Sequence, residues 1–272
     1  WLENEENRSE IEVTEDDTLV VIKGKTFTYI YSKKSGMFKS LVFAGREYLD
    51  TPMQMNIWRA PTDNDMYSKL EWKKAKYNEA YVRAYDTNIE QSENGVVIVV
   101  NTSMSATTVQ KILDANITWR IDGKGIITSS IEVIKNEEFP DLPRFGLRLF
   151  LNKKLENITY YGMGPHESYR DKHQSTSHGL YRAKVSYMYE DYIMPQENSS
   201  HFDCDYLELS NSYFGIAVAA EKTFSFNVSV YTQEELERAK AANRKVLLFK
   251  ALPLFIVSTA FFLMFFPELC AI

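Results

Sequence analysis

Side chains able to do chemistry concentrate in three stretches of the sequence. Arg59-Ala60-Pro61-Thr62-Asp63-Asn64-Asp65 sets a guanidinium beside two carboxylates. Tyr161-Gly162-Met163-Gly164-Pro165-His166-Glu167-Ser168-Tyr169-Arg170-Asp171 sends Glu167, Tyr169 and Asp171 out of a turn. Pro195-Gln196-Glu197-Asn198 ends an aromatic run in an acid and an amide. Acid–base work by paired carboxylates needs two acids about 5–10 Å apart, and spacing along the chain does not show which acids meet. Asp63 and Asp65 alternate on one loop and could chelate a cation. A calcium loop, however, wants a glycine and a further oxygen ligand where Met66-Tyr67 stand. Asp63-Asn64-Asp65 fits better as a cap for a turn or for the helix after it. In the second stretch glycine admits close backbone approach and proline fixes φ, so the corner is rigid before any ligand arrives. Such a corner suits sugar recognition, a domain seam, or packing alone.

Other chemistries find no support. His166, His173, His178 and His201 lack the helical spacing of a zinc motif, and neither Cys204 nor Cys270 lies beside a histidine, so no metal site is assigned. Two cysteines make no disulfide framework and leave the redox compartment open. There is no Gly-x-Ser-x-Gly elbow, phosphate loop or dinucleotide fingerprint, so no catalytic residue and no cofactor is assigned to this chain. A net charge of −6 leaves no basic footprint for nucleic acid. Asn116-Ile117-Thr118, Asn157-Ile158-Thr159 and Asn227-Val228-Ser229 match the glycosylation acceptor pattern, which has meaning only on a eukaryotic secretory route.

The elements that must position these stretches read as strands. With 272 residues, 44% of them hydrophobic, the chain can bury a large core. Its 17 Tyr and 16 Phe favour strands and could stack on sugar rings. Leu19–Ile22 and Phe27–Tyr31 flank Lys23-Gly24-Lys25 as a hairpin, and Ile117–Ile121 and Ile126–Ile134 flank Asp122-Gly123-Lys124-Gly125 as another. Gly95–Val100, Phe145–Phe150, Tyr206–Leu209, Phe214–Ala220 and Phe224–Tyr231 add strands. Short strands separated by regular turns indicate an all-β sandwich. Two capping-box patterns predict helices: Ser68 with Glu71, over Lys69 to about Tyr85, and Thr232 with Glu235, from Gln233. The chain begins at Trp1 with no charged-then-apolar leader, so it is expected to be cut from a longer protein or processed.

Taken together, Arg59–Asp65, Asp141-Leu142-Pro143-Arg144-Phe145-Gly146-Leu147, the Tyr161–Asp171 corner and Pro195–Asn198 occur in an order that resembles one family. The likeness spans about residues 10–240 and is to the C-terminal (small-chain) domain of the large bacterial β-galactosidases of glycoside hydrolase family 2. It implies an all-β fold, a large antiparallel β-supersandwich with one or two short helices, over residues 1–245. It implies a non-catalytic role, shaping the active-site mouth and packing on a TIM barrel that carries both catalytic glutamates of a retaining mechanism. The substrate would be a β-galactoside, the assembly a homo-oligomer, and magnesium or sodium would belong to the whole enzyme and not to this chain. The residues expected at the substrate or the domain seam are Arg59, Asp63, Asn64, Asp65, Tyr67, Glu167, Tyr169, Asp171, Glu197 and Asn198. Tyr67 stands where some members have glycine, which would stiffen the loop from Met66 to Leu70. His201 and Asp205 stand where many relatives carry arginines. The alternative reading is a free-standing β-sandwich that binds carbohydrate. Location stays open between bacterial cytoplasm and periplasm.

The end of the chain departs from that pattern. Relatives continue with strands and a Gly-Asp-Asp-Ser-Trp motif, whereas no tryptophan follows Trp119 here. Val246 to Phe266 is nearly all apolar, interrupted by Lys250, Pro253, Ser258 and Thr259. Residues 246–272 are therefore expected to be an atypical apolar tail, truncated or out of frame, with a membrane segment or a buried core element as competing readings.

Overall fold

The computed structural model describes residues 11–242, 252–257 and 260–266. The fold is all-β: 55% of the described residues are strand and 9% helix. The first five strands, β1 (Glu12–Glu15), β2 (Leu19–Lys23), β3 (Phe27–Ser32), β4 (Met37–Phe43) and β5 (Arg46–Glu47), make one antiparallel sheet in chain order. Alternation drives it. In β3, Phe27, Tyr29 and Tyr31 are buried while Thr28, Ile30 and Ser32 are half-buried on the other face.

Among the described residues the second sheet has twelve strands. In chain order they are β6 (Leu49–Asn56), β7 (Tyr81–Ser92), β8 (Gly95–Ser105), β9 (Leu113–Ile121), β10 (Ile127–Lys135), β11 (Gly146–Leu151), β12 (Asn157–Gly164), β13 (Ser177–Lys184), β14 (Ser200–Ser210), β15 (Gly215–Val228), β16 (Leu252–Val257) and β17 (Ala260–Phe266). Nine lie in the order β13-β12-β14-β15-β17-β10-β9-β8-β7; β16 branches from β15 and carries β11 and then β6. Helices α1 (Ser68–Lys74) and α2 (Gln233–Ala241) sit on connections.

Aromatic side chains join the two sheets. Trp119 of β9 is fully buried and meets Phe38 of β4 edge-on at 5.1 Å. Its indole N–H donates to the carbonyl of Gly36 at 3.0 Å, and Tyr29 donates to the carbonyl of Gly125 at 2.7 Å. Both rings thus bury their area without leaving a polar atom unpaired. A fully buried Phe38 contributes about 1.5–3 kcal/mol.

The predicted helix from Lys69 to about Tyr85 is much shorter in the structure. Helix α1 stops at Lys74, Lys76 takes a left-handed φ of 57°, and a single 3₁₀ turn, Tyr77–Glu79, leads into β7. The Ser68–Glu71 pattern does not cap it: Tyr67 holds the N-cap position with no side-chain bond. Residues Tyr81 to Ala84 pair instead with Ser105 to Thr102 of β8, and that cross-strand ladder outweighs a local helix signal. The second capping box does form. Glu235 N–H donates to Thr232 Oγ1 at 3.1 Å, and Thr232 N–H donates to Glu235 Oε2 at 2.9 Å. The strands expected over Phe214–Ala220 and Phe224–Tyr231 are one continuous strand, β15.

Two stretches of the apolar end are strands of the large sheet. β16 pairs with β11 and β15, and β17 with β15 and β10. Leu252, Leu254, Ile256, Phe261 and Leu263 are buried, and Phe265 meets Tyr48 at 4.9 Å. For these residues the buried-core reading is the one the structure takes. Among the described residues no helix is long and apolar enough to cross a membrane. Trp1 and the acidic start to residue 10, Lys250, Ser258, Thr259 and Cys270 lie outside the described residues.

Candidate functional site

The polar stretches, far apart in sequence, line one open cleft of about 460 Å³. The loop from Arg59 to Asp65 leaves β6, where Asn56 fixes its exit by donating to the carbonyl of Trp58 at 2.7 Å and accepting from Trp58 N–H at 3.2 Å. The Glu167 corner follows β12 across a cis Gly164–Pro165 bond. The Gln196-Glu197-Asn198 segment leads into β14. Trp58 is buried, meets Trp72 of α1 edge-on at 6.3 Å, and donates to Glu237 of α2 at 3.3 Å, so both helices brace the first loop.

Three buried carboxylates tie the segments together. Asp65 accepts Arg59 Nη2 at 2.7 Å on one oxygen, and on the other the backbone N–H and hydroxyl of Thr62 at 2.8 and 2.9 Å. Its side chain closes its own loop, and its carbonyl accepts the N–H of Lys69 in the first turn of α1 at 2.9 Å. Glu197 accepts the backbone N–H of Ala60 at 3.2 Å and pairs with Arg144 from the 141–147 stretch. The Arg144 guanidinium lies 4.4 Å above the Phe255 ring. Gln196 Oε1 accepts Asp63 N–H at 2.8 Å.

Glu167 is the most connected of the three. One oxygen accepts Lys172 Nζ at 2.8 Å and the Tyr192 hydroxyl; the other accepts Tyr169 Oη at 3.2 Å and Ser199 N–H at 3.1 Å. Burial pushes its pKa up, but the bonds from Lys172, Tyr192 and Ser199 outweigh burial and hold it below the ordinary value of 4.5. The bond to Glu167 raises Lys172 to about 12. Burial, then the charges of Glu167 and Glu197, push Tyr169 well above the usual phenol range. At neutral pH the cluster is therefore an ionised acid, a protonated amine and neutral phenols.

Of the residues expected at the site, Arg59, Asp63, Asn64, Asp65, Glu167, Tyr169, Asp171 and Glu197 all line this cleft. Asp63, Asn64 and Asp171 are exposed on it, and Asp63 pairs with Lys240 of α2 at 3.0 Å. Asn198 lies behind the wall, 2% exposed, and accepts Glu190 N–H at 3.3 Å. Tyr67 lies off the lining and is 77% exposed. Sequence reasoning left Thr62, Lys172, Tyr192 and Gln196 out of the site. Gln196 and Thr62 sit inside quoted motifs and Lys172 directly follows one. Tyr192 belongs to the aromatic run before Pro195, but nothing in that run ties it to Glu167, 25 residues away.

Both Asp65 oxygens are engaged by Arg59 and Thr62. Among the described residues no group of three or more His, Cys, Asp or Glu is placed to hold a metal. What the cleft offers is a rigid polar surface with exposed carboxylate, amide and ammonium groups.

Comparison with known proteins gives this surface its context. A β-galactosidase of Actinobacillus pleuropneumoniae is 40% identical over 233 residues, which is 86% of this chain and 23% of that protein. A β-galactosidase of Staphylococcus xylosus is 33% identical over 236 residues, 86% of this chain and 24% of that protein. One of Lactobacillus delbrueckii subsp. bulgaricus is 32% identical over 235 residues, 85% of this chain and 23% of that protein. The chain thus spans about a quarter of the length of the curated relatives it matches. The family model described as β-galactosidase small chain matches residues 23–248, and the chain belongs to that family.

Proposed function

We propose that this chain is the non-catalytic C-terminal domain of a retaining β-galactosidase of glycoside hydrolase family 2. It packs on a TIM barrel outside this chain and shapes the mouth of that barrel's active site. The observation that carries the reading is the convergence of the Arg59–Asp65, Glu167–Asp171 and Gln196–Glu197 segments on one cleft in a chain a quarter the length of its relatives. The buried acids support a positioning role. Glu167, Asp65 and Glu197 each have their oxygens engaged by donors, which suits clamping loops and not delivering a proton. Magnesium or sodium, in this reading, is held by the rest of the enzyme.

The test is turnover by the purified 272-residue chain, folded by circular dichroism, on a chromogenic β-galactoside. The reading expects none above the uncatalysed rate. Hydrolysis that survives repurification and scales with chain concentration refutes it.

A further inference from the structure

Glu197, which lines the cleft, also borders a second and much smaller cavity of about 20 Å³. Asn227 and Ser229 line it from the end of β15, and Arg144 and Arg148 from around the start of β11. Each guanidinium already faces a carboxylate. Arg148 forks onto Glu234, both bonds at 2.7 Å, and Arg144 pairs with Glu197. Asn227 and Ser229 are only partly engaged. Asn227, 8% exposed, donates its amide to the Asn198 carbonyl. Ser229, 4% exposed, accepts Tyr231 N–H at 3.1 Å. Among the described residues no donor reaches Asn227 Oδ1, and no acceptor takes the Ser229 hydroxyl proton. Neither atom is sealed off, so both open onto the cavity they line.

These groups define what the cavity takes. Its occupant accepts from a hydroxyl or a guanidinium N–H and donates to an amide oxygen, so it both gives and receives hydrogen bonds. It is neutral, because one carboxylate per guanidinium leaves no charge for an anion to balance, and an unmatched buried charge is costly. It is small, because about 20 Å³ passes the roughly 10–15 Å³ that one water needs and leaves no room for a larger molecule. We propose that this cavity is the site of one structural water bridging Ser229, Asn227 and Arg144. The water ties the end of β15 to the guanidinium that holds Glu197, and so fixes the cleft wall from behind. The proposal does not depend on the β-galactosidase reading.

A crystal structure of the 272-residue chain at a resolution that shows ordered solvent tests it, together with a second crystal soaked in sodium bromide. One ordered water is expected within hydrogen-bond distance of Ser229 Oγ and Asn227 Oδ1, with no anomalous bromide peak in the cavity. A bromide peak there overturns the proposal, since the occupant would then be an anion. A dry cavity, or one closed by a side chain, overturns it equally. Ser229→Val replaces the hydroxyl by methyl groups and should remove the water from the density. A water retained at the same place in that variant would also overturn the proposal, because Ser229 would then not hold it.

Discussion

Ala60 and Glu197 bond each other reciprocally: Ala60 N–H donates to Glu197 Oε2 at 3.2 Å, and Glu197 N–H donates to the Ala60 carbonyl at 3.1 Å. Residues 137 apart in sequence are thereby clasped at one point of the cleft wall. The clasp is charged, since Glu197 also holds Arg144, and both side chains are largely out of water. Glu197→Ala should destabilise the chain by about 3–5 kcal/mol, because it leaves the Arg144 guanidinium buried without its partner. Urea unfolding checks this. A loss under about 1 kcal/mol would mean the pair is solvated and the clasp minor.

His201 sets a pH dependence. Its ring lies 5.1 Å from Phe226 and 4.6 Å from Tyr160, and its Nδ1 faces the Met163 carbonyl at 3.1 Å. Burial lowers its pKa from 6.5 to about 4, against the opposing pull of Met163 and Glu167. Between those values the unfolded chain takes up a proton that the folded chain refuses. Stability should therefore fall as pH falls from 6.5 towards 4, by up to about 3 kcal/mol from this residue. Urea midpoints at pH 7 and pH 4.5 measure the drop, and His201→Gln should remove most of it. An equal drop in the variant would contradict the assignment.

Glu167 adds a second, more acidic phase. Its folded pKa is depressed below 4.5, so its contribution is complete above that pH and is lost as pH falls through the folded value. Glu167→Gln should flatten the stability curve below pH 4.5 and leave the His201 phase in place. Parallel curves for parent and variant below that pH would count against an ionised, hydrogen-bonded carboxylate.

Gly162 is a packing requirement. A Cβ there would overlap Cys204 Sγ and lie 2.8 Å from Cys204 Cα, backbone that cannot swing aside. Gly162→Ala should cost at least about 2 kcal/mol in thermal or urea unfolding. A neutral result would mean that β12 and β14 can separate at that level.

Much of this was legible in the sequence. Period-two alternation gave the hairpins at Lys23-Gly24-Lys25 and Asp122–Gly125, and the ordered motifs contain eight residues that line one cleft. Three features were hidden for physical reasons. The residues from Tyr81 to Ala84 carry a helix signal upstream, yet pair with β8, a partner that only tertiary structure supplies. Tyr192 reaches Glu167 across 25 residues of loop, with no periodic pattern to announce it. The apolar end reads alike as a truncated or out-of-frame tail, a membrane segment or a buried core element, because hydrophobic runs do not name their partner. In the structure residues 252–257 and 260–266 pair with β10, β11 and β15.

The most direct measurement of the central claim is kcat/KM on a β-galactoside for the longer enzyme carrying Glu167→Ala in this domain, beside the unaltered enzyme. Removing Glu167 frees Lys172, Tyr169, Tyr192 and Ser199 from their shared acceptor and loosens the corner from the Asn198 segment. If the cleft shapes the active-site mouth, kcat/KM should fall at least about tenfold, roughly 1.4 kcal/mol of transition-state stabilisation. Unchanged kcat/KM together with unchanged stability would contradict the account.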